Sequence, residues 1–227
     1  MTTLQQILEY KIVAILRGCA PDRVPQIAAA LAQGGIRLLE ITLNSPGALE
    51  AIRQLTDRMG DQLLIGAGTV LTAGEAEEAI AAGARFILSP SLDIDIIRTT
   101  RELGAVSIPG AFTATEILTA YKHGADIVKL FPASVGVNYF RDIRGPLPQI
   151  PLMPTGGVNI NNIWEFHAAG AVAFGIGSAL VPSGQLATKE ALHLLTDKAA
   201  AFMHAAHGGK ILESDQTSHS ANTSTSR

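Results

Sequence analysis

The chain has 227 residues, 47% hydrophobic and 16% charged, with a formal net charge of -3 and one cysteine, Cys19. Its scattered Lys and Arg give no basic field for nucleic acid, the lone cysteine excludes an intramolecular disulfide and fits a reducing compartment, and no apolar run reaches the ~18 residues of a membrane helix. Met1 to Tyr10 lacks the charged start and apolar middle of a secretory signal, so the expected location is the cytoplasm.

In chain order, Thr3 to Glu9 reads as a short helix and Ile12 to Leu16 as a buried strand ending at Arg17-Gly18. An alanine-rich helix, Asp22 to Gln33, closes at Gly34-Gly35. Leu38 to Thr42 is the second strand, and Ser45-Pro46 predicts a serine N-cap with proline at the first position of a helix running to Met59. Leu63 to Ala67 is the third strand, followed by a capping box of Thr72 and Glu75 for a helix ending at Gly83. Phe86 to Ser89, a helix from Asp93 to Leu103, and Val106 to Pro109 come next; Thr113 with Glu116 then caps a helix closed by Gly124. Ile127 to Pro132 is the sixth strand, Leu152 to Thr155 the seventh and Ala173 to Gly177 the eighth.

Strand starts roughly 20 to 26 residues apart, each followed by a helical segment, are the spacing of βα units on a parallel sheet. Eight of them predict an α/β fold of the (β/α)8 TIM-barrel type, occupying residues 1–207 with an N-terminal helix. An open doubly wound sheet is the alternative, but no G-x-G-x-x-G follows the first strand. Residues 208–227 turn to Ser, Thr, His and Asn and read as a disordered tail outside the fold.

Lys129 sits in the middle of the apolar run Ile127-Val128-Lys129-Leu130-Phe131. Burial would leave its amine partly neutral and nucleophilic; alternatively the side chain reaches solvent from the strand end. Strand alternation pairs Glu40 with Thr42 on one face and Lys129 with Ile127 and Phe131 on another. If both faces point inward, Glu40 and Lys129 meet inside the barrel, either as a structural ion pair or as a base beside an amine. Pro154-Thr155-Gly156-Gly157 and Gly175-Ile176-Gly177-Ser178 follow the last two strands, where barrels often hold phosphate on backbone amides. Gly66-Ala67-Gly68-Thr69 would let a substrate lie against backbone, or else packs a barrel corner. Five of the six histidines, at 123, 167, 193, 204 and 207, fall on helices or their ends, with no H-E-x-x-H and no Cys/His cluster, so no metal ligand set is predicted.

These residues resemble those of the class I pyruvate aldolases that cleave 2-keto-3-deoxy-6-phosphogluconate, often also active on 4-hydroxy-2-oxoglutarate. The resemblance covers about Lys11 to Pro182 and rests on Leu39-Glu40-Ile41-Thr42, Ile65-Gly66-Ala67-Gly68-Thr69-Val70, Ile108-Pro109-Gly110, Val128-Lys129-Leu130-Phe131-Pro132 and Pro154-Thr155-Gly156-Gly157-Val158, in that order. It implies Lys129 as the Schiff-base lysine, Glu40 as general acid/base and Thr69 as a ligand of the pyruvyl carboxylate. Gly156, Gly157, Gly177 and Ser178 would surround the phosphate, with Pro90, Phe131 and Thr155 also binding substrate. No cofactor is implied; the partner is a small 2-keto-3-deoxy sugar acid phosphate, and relatives are typically homotrimers, which the low charged fraction suits.

One departure stands out. Some relatives carry an arginine two residues after the threonine of the Glu-x-Thr motif, where this chain has Asn44. Arg17 is the substitute candidate for holding the carboxylate. Relatives acting on the galactonate epimer combine such an arginine with Asn-Ser-Pro, so both epimers stay open. Two rival readings are another phosphate-binding barrel enzyme and a non-catalytic sugar-phosphate sensor.

Overall fold

A computed structural model describes residues 1–182 and 188–209; of the tail expected from 208 onward, 210–227 lie outside the described residues. The first half runs α1 (Thr3–Tyr10), β1 (Ile12–Leu16), α2 (Val24–Gln33), β2 (Leu38–Thr42), α3 (Ala48–Met59), β3 (Leu64–Gly68), α4 (Ala73–Ala81), β4 (Phe86–Leu88) and α5 (Ile94–Glu102). The second half runs β5 (Val106–Ile108), β6 (Gly110–Ala111), α6 (Ala114–Lys122), β7 (Val128–Leu130), α7 (Val137–Arg144), β8 (Leu152–Pro154), α8 (Ile163–Ala168), β9 (Phe174–Ile176) and α9 (Lys189–Ala206). Among the described residues no helix is long and apolar enough to cross a membrane.

The fold is α/β, with every strand pair parallel: a six-stranded sheet in the order β5-β4-β3-β2-β1-β9 and a three-stranded sheet β6-β7-β8. The predicted fifth strand, Val106 to Pro109, is β5, and the short further strand β6 starts after Pro109, which has no N–H to give a ladder. The two sheets approach each other at both edges. At one, the Ser107 carbonyl accepts from the N–H groups of Asp126 and Ile127; at the other, Thr155 bridges Gly175 and the Val172 N–H bonds the Leu152 carbonyl.

Alternation along the strands sorts the core into two clusters. One holds Val13, Leu38, Phe86, Leu88, Val106, Ile108, Ile127, Met153 and Ala173, joined by Ile7 of α1 at the N-terminal ends of the strands. The other lies between the opposite strand faces and the helices and includes Ala14, Leu39, Ile65, Val128 and Leu152. Lys129 is two residues beyond Ile127 and Glu40 two beyond Leu38, so both belong to the face of the first cluster.

Two predicted caps form differently. The Ser45-Pro46 cap does not form: α3 starts later, from Gly47 in the left-handed region (φ 67°), with no side-chain cap. The Ser45 hydroxyl is engaged elsewhere, accepting from the Gly18 N–H at 2.8 Å and bonding Thr42 Oγ1 at 2.8 Å. At α4, Thr72 caps the Glu75 N–H, but the Glu75 carboxylate returns to the Leu71 N–H at 2.6 Å, one residue beyond the N-cap that a capping box would engage. The box of Thr113 and Glu116 is complete.

Gly66 lies where an added Cβ would collide with the Phe86 ring, whereas Gly74 in α4 meets nothing within 4 Å. Gly66→Ala should therefore destabilise the protein by about 1–3 kcal/mol, the usual cost of overpacking a core. Gly74→Ala should be neutral or stabilising by up to about 1 kcal/mol. Denaturant midpoints at constant m-value check the pair.

Candidate active site

At the C-terminal ends of the strands lies a cleft of about 550 Å³. Lys129 stands on its floor, only 4% exposed, so it does not reach for solvent. Its Nζ lies 4.8 Å from the centroid of the Phe131 ring, which also lines the cleft. Arg17 from the end of β1, Thr69 after β3, Pro90 after β4, Thr155, Gly156 and Gly157 after β8, and Gly177 and Ser178 after β9 complete the wall. Every predicted site residue except Glu40 lines this cleft. A second cleft of about 490 Å³ sits among α1, α2 and the α3–β3 turn, lined by Gln6, Tyr10, Arg37 and Gln62. It holds none of the predicted residues and no buried ionisable pair, so chemistry favours the first.

Glu40, 1% exposed, lies deeper, against Gly68; a Cβ on Gly68 would collide with the Glu40 carboxylate. Glu40 and Lys129 do not form an ion pair, so the structural-pair reading is corrected: among the described residues neither carboxylate oxygen has a hydrogen-bond partner. Burial pushes the Glu40 carboxyl above its ordinary value, opposed by the charges of Lys129 and Arg17. Burial pushes the Lys129 amine down, opposed by Glu40 and assisted by the positive Arg17. The two groups thus feel one another without contact. Each is moved toward its neutral form mainly by loss of water.

The cleft holds further unpartnered or constrained groups. The buried Thr155 Oγ1 has no partner among the described residues. Thr69 is a non-glycine residue at φ 56°, a conformation a β-branched side chain adopts only under constraint. Gly156 and Gly157 have φ of 77° and 88°, and a Cβ on Gly157 would come 2.6 Å from the Ser134 Cα. Gly177 differs, since among the described residues a Cβ there would find only Ile15 at 4.0 Å.

Some supporting residues were not foreseen. The Nδ2 groups of Asn159 and Asn162 donate to the Gly157 carbonyl at 3.3 and 2.9 Å, pinning the glycine turn. The run Asn159-Ile160-Asn161-Asn162 directly after the glycines was the available signal. Arg17 Nη1 donates to Asn44 Oδ1 at 3.1 Å. Among the described residues, no group of three or more His, Cys, Asp or Glu comes together to hold a metal ion.

A family model described as KDPG and KHG aldolase matches residues 4–195. The 2-dehydro-3-deoxy-6-phosphogalactonate aldolase of Escherichia coli K12 is 36% identical over 204 residues, 89% of this chain and 97% of the relative. The 2-dehydro-3-deoxy-phosphogluconate aldolase of Pseudomonas aeruginosa is 39% identical over 176 residues, 77% of this chain and 80% of the relative. A solved KDPG aldolase from Legionella pneumophila, with pyruvate captured as a covalent carbinolamine intermediate, matches with a TM-score of 0.81 at 30% identity, over 88% of this chain and 98% of that one. On a match of this extent, the chain belongs to the KDPG and KHG aldolase family.

Proposed function

We propose that this protein is a class I aldolase, a carbon–carbon lyase that cleaves 2-dehydro-3-deoxy-6-phosphogluconate to pyruvate and glyceraldehyde 3-phosphate through an imine on Lys129. The observation that carries the reading is the buried Lys129 amine, held below its ordinary pKa on the floor of a cleft. The Legionella relative, with pyruvate captured as a carbinolamine, agrees with it.

The amine attacks the C2 ketone, giving a carbinolamine that loses water to form an iminium ion. As the C3–C4 bond breaks, its electron pair flows into the iminium to give an enamine, while the C4 hydroxyl proton leaves and the aldehyde is released. Glu40 moves these protons. Its unpartnered oxygens and raised pKa suit a carboxyl that alternates between acid and base, through a bound water where direct reach fails. Protonation of the enamine at C3 and hydrolysis release pyruvate and restore the amine. Arg17 and Thr69 hold the carboxylate, and the Thr155 hydroxyl meets a substrate hydroxyl. The phosphate rests against the amides of Gly156, Gly157 and Gly177 and the Ser178 hydroxyl.

A second reading, the galactonate epimer, has its own support in the Escherichia coli relative and in Arg17 beside the Asn-Ser-Pro segment. Initial rates on the two epimers decide between them. 4-Hydroxy-2-oxoglutarate, yielding pyruvate and glyoxylate, is a further candidate substrate.

The same reading takes the two sheets as one closed (β/α)8 barrel and residues 1–207 as a single domain. The Thr155–Gly175 bridge at one seam and the Ser107 carbonyl at the other support closure. A cytoplasmic homotrimer fits the single cysteine, the low charged fraction and exposed apolar side chains such as Leu71, Ile94 and Val135.

Borohydride with pyruvate should add a stable mass to the peptide bearing Lys129, since only an imine is reduced to a secondary amine. An equal adduct in Lys129→Ala would remove the lysine from its role. Ser178→Asp should depress activity on phosphorylated substrates well beyond that on 4-hydroxy-2-oxoglutarate, because it sets a negative charge against the phosphate. Equal losses would show that the loop after β9 does not bind phosphate.

Lys129→Met should abolish turnover and raise stability at pH 7, since burial penalises the charged amine. The sign follows from the lowered folded-state pKa: the wild type gains stability as pH rises from that value to the unfolded value near ~10.4 and loses it below. The advantage of the variant should therefore shrink across that window, as measured by urea denaturation at several pH values.

A further inference from the structure

Asn44 stands two positions after Thr42 and opens an Asn-Ser-Pro run that does not cap a helix here. Its side chain faces back toward β1. Asn44 Oδ1 accepts a hydrogen bond from Arg17 Nη1 at 3.1 Å across 27 residues of sequence. Beside it, Ser45 Oγ accepts from the Gly18 N–H at 2.8 Å and bonds Thr42 Oγ1 at 2.8 Å, and Thr42 Oγ1 in turn reaches the Leu16 carbonyl at 3.4 Å. The corner Leu16-Arg17-Gly18 is thus held from the end of β2 at both its backbone and its side chain. Gly18, at φ 64°, makes the turn there.

Resting on the aldolase reading above, we propose that Asn44 is a positioning residue for the substrate carboxylate: a neutral amide that orders the Arg17 guanidinium at the cleft without cancelling its charge.

The chemistry favours an amide at this place. Arg17 lines the cleft but is exposed, and a long exposed guanidinium loses much rotamer freedom when it must meet a ligand in one geometry. A partner that holds it beforehand lowers that cost. An aspartate would hold it more strongly, yet would compete with the incoming carboxylate for the same positive charge. An amide oxygen takes one N–H and leaves the rest of the guanidinium, and all of its charge, for the ligand. The charge does reach the reacting groups, since Arg17 acts on both Lys129 and Glu40.

The test is the pyruvate concentration that half-saturates borohydride trapping, measured on the full chain for wild type, Asn44→Ala, Asn44→Asp, Arg17→Ala and the Arg17→Ala/Asn44→Ala double variant. Asn44→Ala should raise the half-saturating concentration roughly 3- to 10-fold, the scale of one hydrogen bond, with little change in the limiting rate. In the Arg17→Ala background it should add nothing, because its effect runs through the guanidinium. Asn44→Asp should weaken pyruvate at least as much as Asn44→Ala. A wild-type affinity in Asn44→Ala, an additive double variant, or an Asn44→Asp enzyme that binds like wild type would each overturn the proposal. If wild type itself traps no pyruvate, the aldolase reading fails instead. Matching thermal midpoints for Asn44→Ala and wild type separate lost positioning from lost folding.

Discussion

The site depends on two opposite charges taken out of water without touching each other. A contact ion pair between Glu40 and Lys129 would stabilise both ionised forms and return the amine to a protonated, unreactive state. Separation with burial does the reverse. Desolvation outweighs the mutual attraction in each case, so the carboxyl is raised and the amine lowered. The surroundings maintain this condition. Gly68 leaves room for the carboxylate, the Phe131 ring stands beside the ammonium, and the layer beneath is apolar, with Leu38, Ile127 and Met153 fully buried. An interior that holds unpaired charge is less stable than it could be, and natural proteins accept such sites where activity requires them.

Much of the fold was legible because parallel strands buried on both faces leave an unambiguous apolar run and because glycine marks the helix ends. β1 and β2 fall on the predicted Ile12 to Leu16 and Leu38 to Thr42, all five residues of each buried. What misled was local chemistry with two possible partners. Ser45 before a proline has the signature of a helix cap, yet its hydroxyl finds the Gly18 N–H, and that N–H belongs to a loop remote in sequence. Glu75 has the spacing for a capping box but reaches one residue further back. A short-range pattern states what a side chain can do. It does not say which competitor the tertiary fold will bring within reach.

The same distinction runs through the site. Lys129 and Glu40 were visible since a charge in an apolar strand is anomalous on its own terms, whatever the rest of the chain does. Their separation was not visible, because whether two inward side chains touch depends on strand stagger and on neighbours such as Gly68. The bond between Arg17 and Asn44 was equally hidden, although both residues had been noticed: one as a spare cation, the other as a missing one.

The glycines show that presence in a cleft and service to a ligand are separate matters. Gly157 is required by the protein itself, for its positive φ and its closeness to Ser134 exclude any side chain. Gly156 also has positive φ, with the Phe131 ring 3.2 Å from where a Cβ would sit. These two would be glycine in a fold that bound nothing, so they are weak witnesses for phosphate. Gly177 has no positive φ, and among the described residues a side chain there would meet only Ile15 at 4.0 Å. Among the described residues nothing demands glycine at 177. The phosphate proposed beside Ser178 would use that freedom, since an anion seated on backbone amides needs the approach that a missing side chain leaves open.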